Sequence, residues 1–196
     1  MSISKRPFSD IQGYGHVFSG NPLDRGEKER RDEAKLDEMT KNVSSQFLPL
    51  RNLDLLVNTS NEPSLYWVKK DDLARQNVES APIFLGIMNE RYHYAINVSE
   101  DSFSDSNIRL INPDLRFVDI RTCGQMLGVQ DAGVAAHARI QTYWHERYRY
   151  CSACGSETFM KRGGQSRSCS RCGVCLLYTS DAADEGLGVD LGGRRI

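Results

Sequence analysis

The sequence predicts an α+β fold, in which a β-rich N-terminal domain with flanking helices precedes a small cysteine-rich unit. Short apolar runs alternate with turn signals between Phe47 and Ile120, as expected for a sheet of short strands. Apolar residues at helical spacing follow between Gly124 and Tyr148. Five of the six cysteines then fall between positions 151 and 175, which marks a separate unit at that end.

The bulk composition is typical of a globular chain. With 196 residues it suits one medium domain plus a small appendage. The 25 basic and 26 acidic residues give no overall attraction to nucleic acid or to an anionic membrane. The Met1–Arg6 start lacks the apolar region of a signal peptide, and no run of eighteen apolar residues occurs. We therefore expect a soluble, intracellular protein that does not associate with membranes.

The first forty residues predict an irregular opening segment and then a helix. Residues 1–20 are rich in glycine and end in a Gly20-Asn21-Pro22 turn, with His16 as a surface residue. The stretch Asn21–Met39 carries alternating charges and good helix formers. Interleaved signs suit i,i+4 pairing on an exposed face, so this stretch predicts a solvated helix and not an acidic metal site.

The strands of the N-terminal domain are predicted from six apolar runs and the turns between them. The runs are FLPL, LDLLV, LYWV, PIFLGIM, YHYAINV and RFVDI. Their hairpin-like spacing indicates a mostly antiparallel sheet. In the fifth run the alternation favours a buried face with Tyr92, Tyr94 and Ile96. His93 is then predicted on the polar face, as an ordinary strand residue and not as a metal ligand.

The helical stretch has an apolar stripe and an aromatic, basic end. The start is marked by Asp131. The stripe consists of Ala136, Ile140, Tyr143 and Trp144. The end, YWHERYRY, allows stacking on nucleic-acid bases, but packing against the cysteine-rich unit is the simpler hypothesis because so small a unit needs a neighbour.

The cysteines form two matching CxxCG units. Cys151 and Cys154 make one pair, and Cys169 and Cys172 make the other, with fourteen residues between the pairs. Glycine after each pair suits a metal knuckle, in which the backbone turns through positive φ so that its N–H groups point at sulfur. This pattern predicts a zinc ribbon with four thiolate ligands. Cys123 stands apart and is predicted to be a small buried residue.

The last segment, Cys175–Ile196, does not continue any pattern before it. Its peptide, CLLYTSDAADEGLGVDLGGRRI, matches the translation of a transposase-type sequencing adapter. We expect it to be disordered read-through, and we exclude Cys175 as a ligand on this ground. The natural protein is then expected to continue where this sequence ends.

Four motifs in a fixed order resemble one protein family. They are the segment SGNPLDR from Ser19 to Arg25, the tripeptide Asp119-Ile120-Arg121, the Trp144-His145 pair and the CxxCG ribbon. This order resembles the NADH pyrophosphatase family of Nudix hydrolases, the NAD(H) diphosphatases that also remove NAD caps from RNA. The resemblance divides the chain into an N-terminal domain (1–123), a connecting helix (124–149), the ribbon (150–174) and the tail (175–196).

The resemblance implies an enzyme whose catalytic part is not in this sequence. Family members hydrolyse NADH to reduced nicotinamide mononucleotide and AMP. The reaction takes place in a Nudix domain after the ribbon, where glutamates bind Mg²⁺ or Mn²⁺. The sequence has no Arg-Glu followed by a Glu-Glu pair, so we expect no catalytic residue here and no activity of the chain alone.

The resemblance also implies a few binding residues and partners. The four ribbon cysteines match the structural zinc ligands, and Arg121 lies near an arginine that contacts substrate in relatives. Gly164 occupies the place of a ribbon glutamate in relatives. Expected partners are NAD(H), NAD-capped RNA and a second copy of the chain in a homodimer, in a cytoplasmic or peroxisomal location.

A second hypothesis is a zinc-ribbon binding module that contacts RNA or protein. It rests on basic residues of the ribbon beside Phe159. These residues are Lys161, Arg162, Arg167 and Arg171.

Overall fold

The structure, a computed structural model, describes residues 16–76, 78 and 80–178. The chain divides into two compact units, Met1–Tyr143 and Trp144–Ile196. A seven-stranded sheet with helices forms the first unit, and a three-stranded sheet forms most of the second. The predicted α+β fold is confirmed. No helix in the described residues is long and apolar enough to cross a membrane.

Helices and short strands are interleaved along the first unit, and strands form the sheet of the second. The helices are α1 (Glu33–Lys41), α2 (Lys70–Arg75), α3 (Asp105–Ile111), α4 (Ile120–Met126) and α5 (Val129–Arg147). The strands of the first unit are β1 (Gln46–Arg51), β2 (Asp54–Asn58), β3 (Ser64–Leu65), β4 (Val68–Lys69), β5 (Ile83–Met88), β6 (Arg91–Asn97) and β7 (Leu115–Val118). Strands β8 (Thr158–Lys161), β9 (Ser166–Cys169) and β10 (Cys175–Leu177) form the second sheet.

The large sheet has one pairing that the sequence did not predict. Its order is β3-β2-β1-β6-β5, with β4 beside β1 and β7 beside β2. Strands β1 and β6 run parallel, with Phe47 opposite Tyr94, and the other pairings are antiparallel. The aromatic rings of Phe47 and Tyr94 stack at 5.2 Å, in the apolar core. A parallel pair joins segments that are distant along the chain, so hairpin spacing carries no signal for it.

Pro49 lies inside β1, a central strand, where proline normally removes a ladder hydrogen bond. On one edge β1 pairs along its length with β6. On the other edge β4 pairs with Gln46 and Phe47, and β2 pairs with Leu50 and Arg51. Pro49 therefore falls in the gap between two partner strands, where no amide donor is needed.

The prediction that His93 lies on a polar face is wrong. Its side chain is only 4% exposed, and its ring meets the ring of Trp67 edge-on at 4.8 Å. The Arg91 carbonyl lies 3.1 Å from Nδ1, and burial lowers the pKa of His93. Strand β6 has neighbours on both edges and is covered on both faces, so period-two alternation does not identify its exposed side.

The helix predicted over Asn21–Met39 is wrong in its first half. Helix α1 begins at Glu33, with Asp32 as its N-cap, after a short 3₁₀ turn at Glu29–Arg31. Ion pairs at i,i+4 spacing are present on the exposed side, as expected. Arg30, however, is only 2% exposed, and its Nη2 donates to the carbonyl of Phe84 at 2.6 Å. One member of the charge run is therefore a core residue.

The SGNPLDR segment packs along one side of α5. The helix positions that meet it are four residues apart: Val129, Gly133 and His137. A Cβ added at Gly133 would lie 2.4 Å from the backbone nitrogen of Asn21, so only glycine permits this approach. His137 Nε2 accepts a hydrogen bond from the Arg25 guanidinium. Burial together with the Arg25 charge lowers the pKa of His137 to about 3.

The apolar stripe predicted on α5 is also wrong in part. The helix begins at Val129, and the Asp131 carboxylate accepts the N–H of Leu65 at 2.9 Å. Ile140 is exposed. The buried positions are instead dominated by small residues, namely Ala132, Ala135, Ala138 and Thr142. Cys123 is fully buried, as predicted.

Candidate metal centre

The four cysteines of the two CxxCG units come together in the second unit. Their sulfur atoms all lie within 4.8 Å of one another. The Sγ atoms of Cys151 and Cys172 are 3.6 Å apart, and those of Cys154 and Cys169 are 3.4 Å apart. Tetrahedral zinc with Zn–S bonds of about 2.3 Å requires sulfurs about 3.8 Å apart. The cysteines are therefore positioned for zinc binding.

Each cysteine pair sits on a knuckle of the same shape. Gly155 and Gly173 have φ of 72° and 71°, in the left-handed region that favours glycine. Their N–H groups donate to the carbonyls of Cys151 and Cys169 at 2.8 and 3.2 Å. A Cβ at either glycine would meet nothing within 4 Å, so the reason for glycine is the backbone turn and not crowding.

The second knuckle directs backbone donors at one sulfur. The N–H groups of Cys172 and Arg171 both lie 3.4 Å from Cys169 Sγ. These hydrogen bonds, that of Cys172 foremost, lower the pKa of Cys169 to about 6. A thiolate is the form that ligates metal, so the backbone favours the binding state before any ion arrives.

The knuckles are joined by a tight hairpin. Strands β8 and β9 pair antiparallel from Thr158 opposite Cys169 to Lys161 opposite Ser166. The turn between them, Arg162–Gly164, has positive φ at all three residues. Strand β10 adds to β9, so the sheet continues three residues past Val174, where the ribbon was predicted to end. Residues 179–196, the rest of the predicted disordered tail, lie outside the described residues.

A polar network ties the end of α5 to the hairpin. The Arg167 side chain donates to Thr158 Oγ1 and to the Thr158 carbonyl, each at 2.7 Å, and to His145 Nδ1 at 2.9 Å. His145 Nε2 in turn lies 3.0 Å from the Gly164 carbonyl. Thr158 Oγ1 donates onward to the carbonyl of Tyr148 at 2.6 Å. The helix end therefore packs on the ribbon, as the simpler hypothesis predicted.

The network fixes the protonation state of His145. Nδ1 accepts from a guanidinium, which is always a donor, so the ring proton is on Nε2 and points at Gly164. Burial and the Arg167 charge lower the pKa of His145 to about 4. His145 is therefore neutral near pH 7, with both ring nitrogens occupied.

The remaining predicted positions are Arg121, Cys175 and Gly164, none of which belongs to the four-sulfur group. Arg121 is in the first turn of α4, exposed, and its N–H donates to Asp119 at 2.9 Å. Cys175 is exposed and does not belong to the four-sulfur group. Gly164 has φ of 103°, so a glutamate at this position would be strained in this backbone.

Arg167 and His145 form this network, which the sequence did not predict. Both belong to the phrases that carried the family resemblance, but the sequence predicts for Arg167 only a basic contact to RNA or protein and for His145 only a place at a helix end. The signal that could have found them is their spacing from the cysteines, with His145 six residues before Cys151 and Arg167 two before Cys169. That spacing places both within reach of β8.

Comparison with protein families gives two matches in sequence. Residues 44–144 match the family described as an NADH pyrophosphatase-like rudimentary NUDIX domain. Residues 146–174 match the NADH pyrophosphatase zinc ribbon domain. The first match refines the sequence analysis, because the β-rich domain before the ribbon is itself described as a rudimentary NUDIX domain.

The chain is also similar to curated relatives that are much longer. It is 28% identical to Nudix hydrolase 19, chloroplastic, of Arabidopsis thaliana over 100 residues, which is 47% of this chain and 22% of the relative. It is 45% identical to the NAD-capped RNA hydrolase NUDT12 of Homo sapiens over 40 residues, 20% of this chain and 9% of the relative. The chain thus spans under a quarter of either relative. The first family match alone covers just over half of this sequence, and the chain belongs to the NADH pyrophosphatase family of Nudix hydrolases.

Proposed function

We propose that this chain is the N-terminal and zinc-ribbon part of a Nudix NAD(H) diphosphatase. The whole enzyme would hydrolyse NADH to reduced nicotinamide mononucleotide and AMP, and would remove NAD caps from RNA. One observation carries this proposal: the rudimentary NUDIX domain and the ribbon of this family follow each other directly, at 44–144 and 146–174. The human relative is named as an NAD-capped RNA hydrolase, which supports the proposed removal of NAD caps.

We propose further that Cys151, Cys154, Cys169 and Cys172 hold a structural zinc ion. The residues fit the ion, because their sulfurs cluster within 4.8 Å and backbone N–H groups favour thiolate at Cys169. Zinc would supply most of the folding free energy of so small a unit. Four protein thiolates fill a tetrahedral site, so they leave no open position for water or substrate.

The catalytic metals belong, on this proposal, to a Nudix domain outside this sequence. Among the described residues, the sulfur cluster is the one group of three or more His, Cys, Asp or Glu side chains placed to hold a metal. Carboxylates with Mg²⁺ or Mn²⁺ would activate water and offset the charge of the pyrophosphate in the whole enzyme. The chain alone is then inactive.

Arg121 is our proposal for a substrate contact within this chain. Its exposed guanidinium suits a phosphate, because its planar donors match phosphate oxygens in pairs. The Asp119 carboxylate accepts the backbone N–H of Arg121, so a negative charge lies close to this residue. In the whole enzyme, Arg121→Ala would raise the KM for NADH more than it lowers kcat if the contact is made equally in ground and transition states.

The test compares the purified chain with the product of the uninterrupted transcript. We expect one zinc per 196-residue chain, lost in Cys154→Ser and kept in Cys175→Ser, and no cleavage of NADH with Mg²⁺. The longer product should cleave NADH. Metal-dependent cleavage by the short chain would contradict the assignment of catalysis to another domain, and a natural stop soon after Val174 would contradict the proposed activity.

A further inference from the structure

The ribbon sheet has two different faces. Paired residues share a face, so Thr158, Met160 and Arg167 lie on one side and Phe159 and Lys161 on the other. The first side carries the hydrogen bonds from Thr158 and Arg167 to the end of α5. That side is covered within the unit. The opposite side, which we call the open face, carries the exposed ring of Phe159 and the half-buried side chain of Lys161.

The open face carries exposed aromatic rings beside a cation. Phe159 is 45% exposed, and Lys161 Nζ lies 5.3 Å from the centre of its ring. Tyr150 bridges to Glu157, two residues before Phe159, so it extends the same face, and it is 61% exposed. Large aromatic side chains are normally buried. Two exposed aromatic side chains on one face, with an ammonium near one of the rings, form a surface suited to stacking.

The part of the chain that carries this face has a net positive charge although the whole chain is near neutral. Between Trp144 and Tyr178 there are six arginines and lysines against two glutamates, whereas the full sequence has 25 basic and 26 acidic residues. A four-thiolate zinc site would itself add about two negative charges, which leaves the stretch Trp144–Tyr178 with about two net positive charges. Glu157 lies on the open face and is exposed, so it would repel an anionic polymer. The charged groups of such a polymer would lie on the Lys161 side of the two aromatic rings.

We propose that the open face binds single-stranded RNA, with unpaired bases stacked on Phe159 and Tyr150 and phosphates near Lys161. Aromatic stacking accepts any base, because every base has a π-face, and cationic side chains add attraction for the backbone. This inference rests on the proposed function: an RNA that carries an NAD cap brings a chain of nucleotides beyond the cap. The open face is a contact for that chain and leaves the cap to the catalytic domain.

The test titrates the zinc-loaded 196-residue chain with a fluorescent 12-nucleotide single-stranded RNA that has no NAD cap. We expect binding that weakens as salt rises, because phosphate contacts release counterions. Phe159→Leu keeps apolar volume but removes the ring, so it should weaken binding at least about fivefold, while Phe159→Tyr should retain it. The matched control is Phe18→Leu, a ring that is 42% exposed in the other unit and should not matter.

Three results would overturn the proposal. They are no RNA binding at low salt, equal RNA affinity of Phe159→Leu and the unsubstituted chain, or an equal loss in Phe18→Leu. Concentration-dependent self-association that Phe159→Leu abolishes, without RNA binding, would instead make the open face a protein interface. Because the RNA has no cap and nothing is cleaved, these outcomes are independent of NADH hydrolysis. A whole enzyme that cleaves NADH but fails here keeps the proposed function and loses only this inference.

Discussion

Replacing Arg167 with methionine should weaken zinc binding although the residue is not a ligand. The substitution removes three donors, those to Thr158 Oγ1, to the Thr158 carbonyl and to His145 Nδ1. A buried acceptor left without its donor costs about 1–3 kcal/mol, so the loss at the two buried residues Thr158 and His145 costs about 2–6 kcal/mol. If folding of the ribbon and zinc binding are one equilibrium, the apparent Kd for zinc rises roughly 30- to 20,000-fold.

The assay is competition with a chromophoric chelator at pH 7.4. Structural zinc in small domains binds with about 10–16 kcal/mol, so the variant still loads zinc and its affinity is measurable. The matched control is Arg171→Met, in the same ribbon. Arg171 is exposed and contributes a backbone N–H to Cys169 Sγ, which the substitution keeps. The control should change zinc affinity less than about threefold. Equal effects of the two substitutions would refute the role of the network.

Two further predictions concern the first unit. Gly133→Ala should destabilise it by about 1–3 kcal/mol, against the usual gain of alanine in a helix, because the added Cβ would lie 2.4 Å from Asn21 N. Gly128→Ala, where a Cβ meets nothing within 4 Å, should stay within about 0.5 kcal/mol in the same urea titration. The folded-state pKa of His137 is about 3, below the ordinary 6.5, so its contribution to stability is complete above pH 6.5 and lost as pH falls toward 3. Between pH 7 and 5 the free energy of unfolding of the unsubstituted chain should fall by about 2 kcal/mol more than that of His137→Gln, as measured by urea titration followed by tryptophan fluorescence. Parallel losses would contradict the burial of a neutral imidazole.

The features that the sequence predicts well are those set by neighbours along the chain. The knuckles need glycine at a fixed place after each cysteine pair, and Gly155 and Gly173 both adopt the positive φ that the pattern implies. The β5–β6 hairpin turns at Asn89 and Glu90, with φ of 50° and 60°, where polar residues interrupt two apolar runs. Such geometry depends on a few consecutive residues and is therefore visible in their order.

The features that the sequence misses depend on contacts between distant segments. The charge pattern predicts an exposed Arg30, but this side chain is buried and donates a hydrogen bond to the Phe84 carbonyl, 54 residues away. The alternation predicts His93 on a polar, exposed face, but β6 lies between two other strands and His93 is buried. His137 sits on a helix without any local signal, and the segment that buries it lies more than a hundred residues earlier. Periodicity describes one element at a time, so it does not report what covers that element.

The geometry of the ribbon favours a structural role for its reactive groups over a catalytic one. A general base near pH 7 needs a pKa close to that value and a free nitrogen, but His145 has a pKa of about 4 and both nitrogens occupied. A catalytic zinc needs an open coordination position, but the four sulfurs already supply a complete tetrahedral set. A guanidinium is suited to binding phosphate, but that of Arg167 donates its hydrogen bonds to Thr158 and His145. Each of these reactive groups of the ribbon is therefore engaged in holding the helix end and the two knuckles together, which supports our proposal that hydrolysis takes place in another domain.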